Sequence, residues 1–156
     1  MNTFDITGYL TMLAGQPAKN NLELQFEIPG VPVGKGRPYF VKKTGVAFTP
    51  MKTRQYELLV GNTALDLRKN NDPWPHPIQA IIVAIFPIPV SWPKKKQLMA
   101  HDQLIPPAKP DADNIAKIIL DSLNKIVFLD DVQVVSLFVI KKFGPHPKVQ
   151  IHFSQA

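Results

Sequence analysis

No cysteine occurs among the 156 residues. That excludes a disulfide scaffold, a thiolate zinc site and a catalytic thiol. Long apolar runs are missing too. The longest, Ala80 to Val90, has 11 residues and is broken by Pro87 and Pro89, whereas a membrane span needs about 20. The N-terminus carries Asp5 and lacks the basic-then-apolar order of a secretory signal. A soluble, cytoplasmic protein without membrane partners is therefore expected. Charged residues are few, at 19%, against 45% hydrophobic, a balance too apolar for disorder and typical of one globular domain. Proline, by contrast, is abundant. Its 16 copies are about twice the usual share of roughly 5%. They gather between the apolar segments, which predicts stiff connections.

Eighteen basic against 12 acidic residues give a net charge of +6, a mild preference for polyanions. The distribution says more than the total. From Lys109 to Asp131 five carboxylates (Asp111, Asp113, Asp121, Asp130, Asp131) meet three lysines, so this stretch is acidic inside a basic chain.

Period-two alternation predicts a half-buried strand at Leu22 to Ile28, with Leu22, Leu24, Phe26 and Ile28 alternating with Glu23, Gln25 and Glu27. The loop PGVPVGKGRP (Pro29 to Pro38) follows, then a short hairpin over Tyr39 to Phe48 turning at Thr44-Gly45. Thr49-Pro50 predicts a helix start, with a capping hydroxyl and proline at the first helical position, and the helix is expected to reach Lys69. Tyr56, Val60, Ala64 and Leu67 line one side of it, Met51, Leu58 and Leu65 another. QAIIVAIF (Gln79 to Phe86) predicts a strand covered on both faces. Ser91 to Ala100 predicts a short helix bearing Lys94, Lys95 and Lys96. A further helix is expected from Asp113 to Leu123, then strands at Ile126–Leu129, Val132–Lys142 and Lys148–Phe153. Residues 1–21 predict only a short helix around Tyr9 to Ala14. The expectation is α+β (α/β): one domain, a mixed sheet of about four to five strands and two main helices, with residues 1–21 as an N-terminal extension to a 22–156 domain.

On a wheel turning about 100° per residue from Asp113, Lys117 falls near 40°, Asp121 near 80°, Asn114 near 100° and Asn124 near 20°. Ile115, Ile118, Ile119 and Leu123 occupy the opposite side. The helix thus has one apolar face and one narrow polar stripe, with Asp111 just before it and Asp130-Asp131 after it. If the next strand packs back beside the helix, three or four carboxylates converge. Two carboxylates about 4 Å apart repel by roughly 4 kcal/mol at an effective dielectric of 20, far more than the roughly 0.3–1 kcal/mol a helix N-terminus returns. Such a cluster calls for protonation or a cation. An all-oxygen donor set suits Mg²⁺, with Mn²⁺ as a substitute. The same residues also admit an ordinary reading: a helix cap at Asp111, an i,i+4 pair between Asp113 and Lys117, a solvated turn at Asp130-Asp131.

KPDADNIAKIILDSLN (Lys109 to Asn124) followed by VFLDDVQV (Val127 to Val134) closely resembles the signature of the RusA family of Holliday-junction resolvases. The PGVPVGKGRP loop and the Ser-Trp-Pro-Lys-Lys-Lys run are similar to family features. The likeness spans Leu22 to Phe153 and departs at residues 1–21 and at Asn124-Lys125, where many relatives have Asn-Gly. It implies a dimeric, Mg²⁺-dependent endonuclease of α/β fold cutting four-way DNA junctions. Carried over by position, it implies essential carboxylates at Asp111, Asp113 and Asp131, a secondary one at Asp130, all four as metal ligands, and a catalytic lysine at Lys117.

An acidic metal site repels DNA unless cations surround it. Lys35, Arg37, Lys42, Lys43, Lys94, Lys95, Lys96 and Lys109, all on or beside predicted loops, are the candidates for phosphate contact. Trp92 and Tyr39 suit either base stacking or core packing. His76, His101, His146 and His152 have no ligand spacing. The spare apolar side of the 50–69 helix fits a homodimer, whose two-fold axis matches paired nicks. Two other functions compete: a non-catalytic DNA-binding module, and a different Mg²⁺ enzyme using Asp111-Ala112-Asp113 as a DxD motif, as nucleotide-sugar transferases do.

Overall fold

The computed structural model describes residues 22–69 and 71–156; the extension 1–21 and its expected helix lie outside them. In chain order the elements are β1 (Glu23–Pro29), β2 (Tyr39–Val41), β3 (Val46–Phe48), α1 (Met51–Arg68), β4 (Ile78–Phe86), α2 (Lys94–His101), α3 (Ala112–Leu123), β5 (Val134–Phe143) and β6 (Lys148–Gln155), with a single 3-10 turn at Asp131–Gln133. Four strands form one mixed sheet in the order β1-β6-β4-β5, and β2 and β3 form a separate antiparallel ribbon. In the main sheet only β4 and β5 run parallel. A parallel pair needs a crossover, which α2 and α3 supply between them. The α+β single domain is the architecture expected.

Alternation places most of β1 as predicted: Phe26 and Ile28 are buried and Leu24 half-buried while Glu27 reaches Lys148 at 2.8 Å and Gln150 at 2.7 Å, but Leu22 lies ahead of the strand and is exposed. On β4, Ile78, Ala80, Ile82, Ala84 and Phe86 join the main core, and Ile81, Val83 and Ile85 pack with Phe138 and Ile140 on the other face. The α3 apolar side (Ile115, Ile118, Ile119, Leu123) is fully buried. Two-sided burial of β4 and the one-sided wheel of α3 are thus both realised. The helices α1 and α3 cross closely at Gly61, where an added Cβ would stand 3.3 Å from Ile126 and from the Ser122 carbonyl.

Several boundaries differ. Ile126–Leu129 is not a strand. It is a turn whose Phe128 makes only isolated bridges to Trp74 and Asn124, because Val127 and Phe128 are buried as core plugs. The β5 strand starts at Val134, since Asp131–Gln133 winds into the 3-10 turn. At the start of α1, Pro50 itself is the cap residue and no side chain caps it. Leu67 is 49% exposed rather than buried with Tyr56, Val60 and Ala64.

Candidate active site and nucleic-acid surface

The GKGRP loop is held where α1 and α3 begin. An added Cβ on Gly34 would fall 2.5 Å from Pro110 Cβ, and one on Gly36 2.7 Å from Thr53 Oγ1; only glycine permits so close an approach. The Lys35 N–H donates to the Asn114 carbonyl at 2.8 Å and the Gly36 N–H to Thr53 Oγ1 at 3.2 Å. The Lys35 ammonium bridges Glu57 of α1 at 2.5 Å and Asp121 of α3 at 2.7 Å. Burial works against its charge, but Asp121 and Glu57 outweigh that and raise its pKa. Lys35 is therefore a tether inside the protein rather than a free cation of the surface.

Beside this loop opens a cleft of about 640 Å³, lined among others by Gly34, Arg37, Lys52, Lys109, Asp111 and Asn114. Asp111 is the residue that caps α3, yet its side chain makes no cap bond. Both of its oxygens instead take the Lys109 ammonium, at 2.7 and 2.8 Å. That hydrogen bond, helped by the nearby Lys109 and Lys141 charges, holds its carboxyl below the usual range. Asp113 and Lys117 stand exposed on the α3 stripe, and among the described residues neither forms the expected i,i+4 ion pair. Both are open to a ligand.

Asp130 and Asp131 lie elsewhere. Asp130 accepts from the Val132 N–H at 3.0 Å, and that backbone bond, ahead of the influence of the neighbouring Asp131 side chain, lowers its pKa. Gln133 closes this turn. Its Oε1 accepts from the Leu129 and Asp130 N–H groups, and its Nε2 donates to the Trp74 and His76 carbonyls, all within 2.8–2.9 Å. This anchor has a sequence signal, the Asp-x-x-Gln spacing of a capping box, which the ligand reading passed over. Gln133→Ala leaves four backbone groups short of a partner and is expected to cost about 2 kcal/mol, measurable as a shift in urea midpoint.

The Asp131 turn enters β5 at Val134, next to the start of β4. At the other end of β5, Lys141 donates to the carbonyls of Ala108 at 3.0 Å and Pro110 at 2.8 Å, just before Asp111. The stretch from Val134 to Lys141 spans roughly 23 Å at about 3.3 Å per residue. The chain therefore does not bring its acidic residues together: Asp111 and Asp113 occupy one end of the sheet, Asp130 and Asp131 the other. Among the described residues no three Asp, Glu or His lie close enough to hold a metal ion. Among the described residues, one chain alone does not assemble the four-carboxylate set expected for Mg²⁺.

The cations divide by environment. Lys94 and Lys95 are exposed in the first turn of α2, where the helix dipole disfavours positive charge and an anion would offset it. Lys96 lies 3.8 Å above the Trp92 ring, which itself packs edge-on to Phe143, so Trp92 belongs to the core. Lys42 and Lys43 are exposed at the β2–β3 turn, and Tyr39 is exposed on β2. Of the histidines, His152 is buried against Glu23 at 2.5 Å and His101 pairs with Asp102 at 2.9 Å.

The α+β domain thus heads one helix with aspartates beside a cleft lined by Arg37, Lys52 and the Asp111-paired Lys109. The profile of the endodeoxyribonuclease RusA family matches residues 29–154, and the chain belongs to that family. A Bacillus subtilis (strain 168) protein described as uncharacterized protein YqaN is similar to it, 32% identical over 133 residues that cover 82% of this chain and 93% of that protein. Among the described residues no helix is long and apolar enough to cross a membrane.

Proposed function

We propose that this chain is a Mg²⁺-dependent endodeoxyribonuclease that resolves four-way DNA junctions by paired, symmetric cleavage, acting as a cytoplasmic homodimer. The observation that carries the reading is the pair Asp111 and Asp113 at the head of α3, beside a cleft lined by Arg37, Lys52 and Lys109, in a chain of this family. Since one chain separates its carboxylates, we read the metal set as completed by a second copy: Asp111 and Asp113 from one chain, Asp131 with Asp130 from the other. When bound, the ion would polarise the phosphate and acidify a water. The protein's own groups do the rest. Lys117, exposed on the Asp113 stripe, faces the charge that develops on phosphorus-bound oxygens. The exposed cations hold the flanking phosphates. Exposed Met51, Leu58 and Leu65 on α1, Val132 in the turn before β5, and Val135 and Leu137 at the open edge of β5 offer apolar surface for pairing.

The test is a mobile synthetic four-way junction incubated with Mg²⁺ or EDTA. Symmetric nicks are expected only from the wild type with Mg²⁺, while Asp113→Asn binds the junction within about threefold of wild type. Binding by the wild type without any nick would make the chain a DNA-binding module instead.

A further inference from the structure

From Gly30 to Tyr56 the chain has no acidic residue and six basic ones, Lys35, Arg37, Lys42, Lys43, Lys52 and Arg54. In the middle of this run stands the β2–β3 hairpin, which among the described residues pairs only with itself. All six of its strand residues are exposed. On one face Tyr39 stacks on Phe48 with ring centroids 5.9 Å apart, and Val41 pairs with Val46 beside them. On the other, Phe40 is 71% exposed opposite Ala47. Two apolar faces in water gain nothing for a free-standing hairpin, which is marginal in isolation; contiguous exposed apolar surface marks a contact site. The turn that joins the strands carries Lys42 and Lys43, and neither they nor Arg37 form an ion pair among the described residues.

Aromatic rings flanked by unneutralised cations fit a partner that is both anionic and flat-faced. A second copy of this segment carries the same positive charge and is repelled. Double-helical DNA supplies phosphates but hides its base faces; unstacked bases at a branch or on a single strand expose them. We propose that the β2–β3 hairpin reads unstacked bases, with Phe40 stacking on a base and Lys42 and Lys43 on the neighbouring phosphates, so that it selects branched over plain duplex DNA. This rests on the reading of branched DNA as substrate.

The test measures binding in EDTA of a fluorescein-labelled four-way junction, a single strand and a duplex of one arm. Phe40→Ala should weaken junction and single-strand binding roughly 5- to 150-fold, the range for losing one stacked base, and duplex binding by less than about twofold. The melting temperature should not move, since Phe40 is no part of the core. A 2-aminopurine placed at the branch should brighten with wild type and stay dark with the variant. Lys42→Ala with Lys43→Ala should lower the log–log salt slope on the junction by about 1.8. Equal loss on all three DNAs, or loss on none, overturns the proposal. So does a Phe40→Ala protein that sediments as a smaller species, or one that loses only binding to phosphatidylserine vesicles. Wild type that cuts junctions while Phe40→Ala binds unchanged sinks the hairpin role alone. Selective loss with a wild type that never cuts leaves the hairpin standing and removes the nuclease reading.

Discussion

Mixing Asp113→Asn chains with Asp131→Asn chains is expected to restore junction nicking to about one quarter of the wild-type rate, although each variant alone is inactive. Each substitution removes a proposed metal ligand from both sites of its homodimer, for a loss on the order of 10²-fold or more. Random re-association makes about half of all dimers mixed. If the sites are shared between chains, a mixed dimer gathers both lesions in one site and leaves the other intact, so about a quarter of all sites work. If every ligand came from one chain, each site in the mixture would carry a lesion and nothing would be restored. The converse mixture sharpens the result. Chains carrying both substitutions, added to an equal amount of wild type, should leave about a quarter of the sites active when sites are shared, but about half when they are not. The prediction follows from the roughly 23 Å of β5 between the Asp131 turn and the Pro110–Asp111 corner. Recovery of nothing would require that span to collapse within one chain.

What the sequence made legible was local in character. The alternation in β1 and the wheel of α3 follow from side-chain spacing alone, and, Leu22 apart, both faces came out as read. The chemical type of the candidate residues was also visible, because Asp113 and Lys117 share one stripe by periodicity and Asp111 stands just before it. The end of the sheet to which the chain returned was not visible. A wheel fixes an angle about the helix axis and says nothing of the 10 residues from Asn124 to Gln133, which stay at the far end because Gln133 ties them to Trp74 and His76. Four apolar residues at Ile126–Leu129 mimic a strand, but a strand needs a partner with free ladder positions, and here Trp74 and Asn124 offer one bridge each. The hairpin aromatic Phe40 went unremarked because alternation in a short ribbon normally implies one buried face, and here neither is.

Lys35→Met is expected to destabilise the fold by about 2 kcal/mol while leaving the salt dependence of junction binding unchanged. As a loop lysine in a basic motif, Lys35 reads as a phosphate contact. Its partners are 22 and 86 residues away in sequence, so no spacing rule reveals them. Removing the ammonium leaves the Glu57 and Asp121 oxygens within about 5 Å of each other, a repulsion of about 3 kcal/mol at an effective dielectric of 20, which partial exposure reduces. For a domain of this size, 2 kcal/mol lowers the melting temperature by about 4–8 °C. Glu57→Gln with Asp121→Asn, added to Lys35→Met, should recover most of the loss, since the repulsion then has no source. The alkaline limb gives a second check. The folded protein raises the Lys35 pKa, so its contribution is complete below the unfolded value near 10.4 and fades as pH climbs through the higher folded value. Wild type should shed this stability only above about pH 10.4, and the methionine variant should show no such step. If instead the salt slope falls by about 0.9 with stability intact, Lys35 touches a phosphate and the tether between α1 and α3 is not its role.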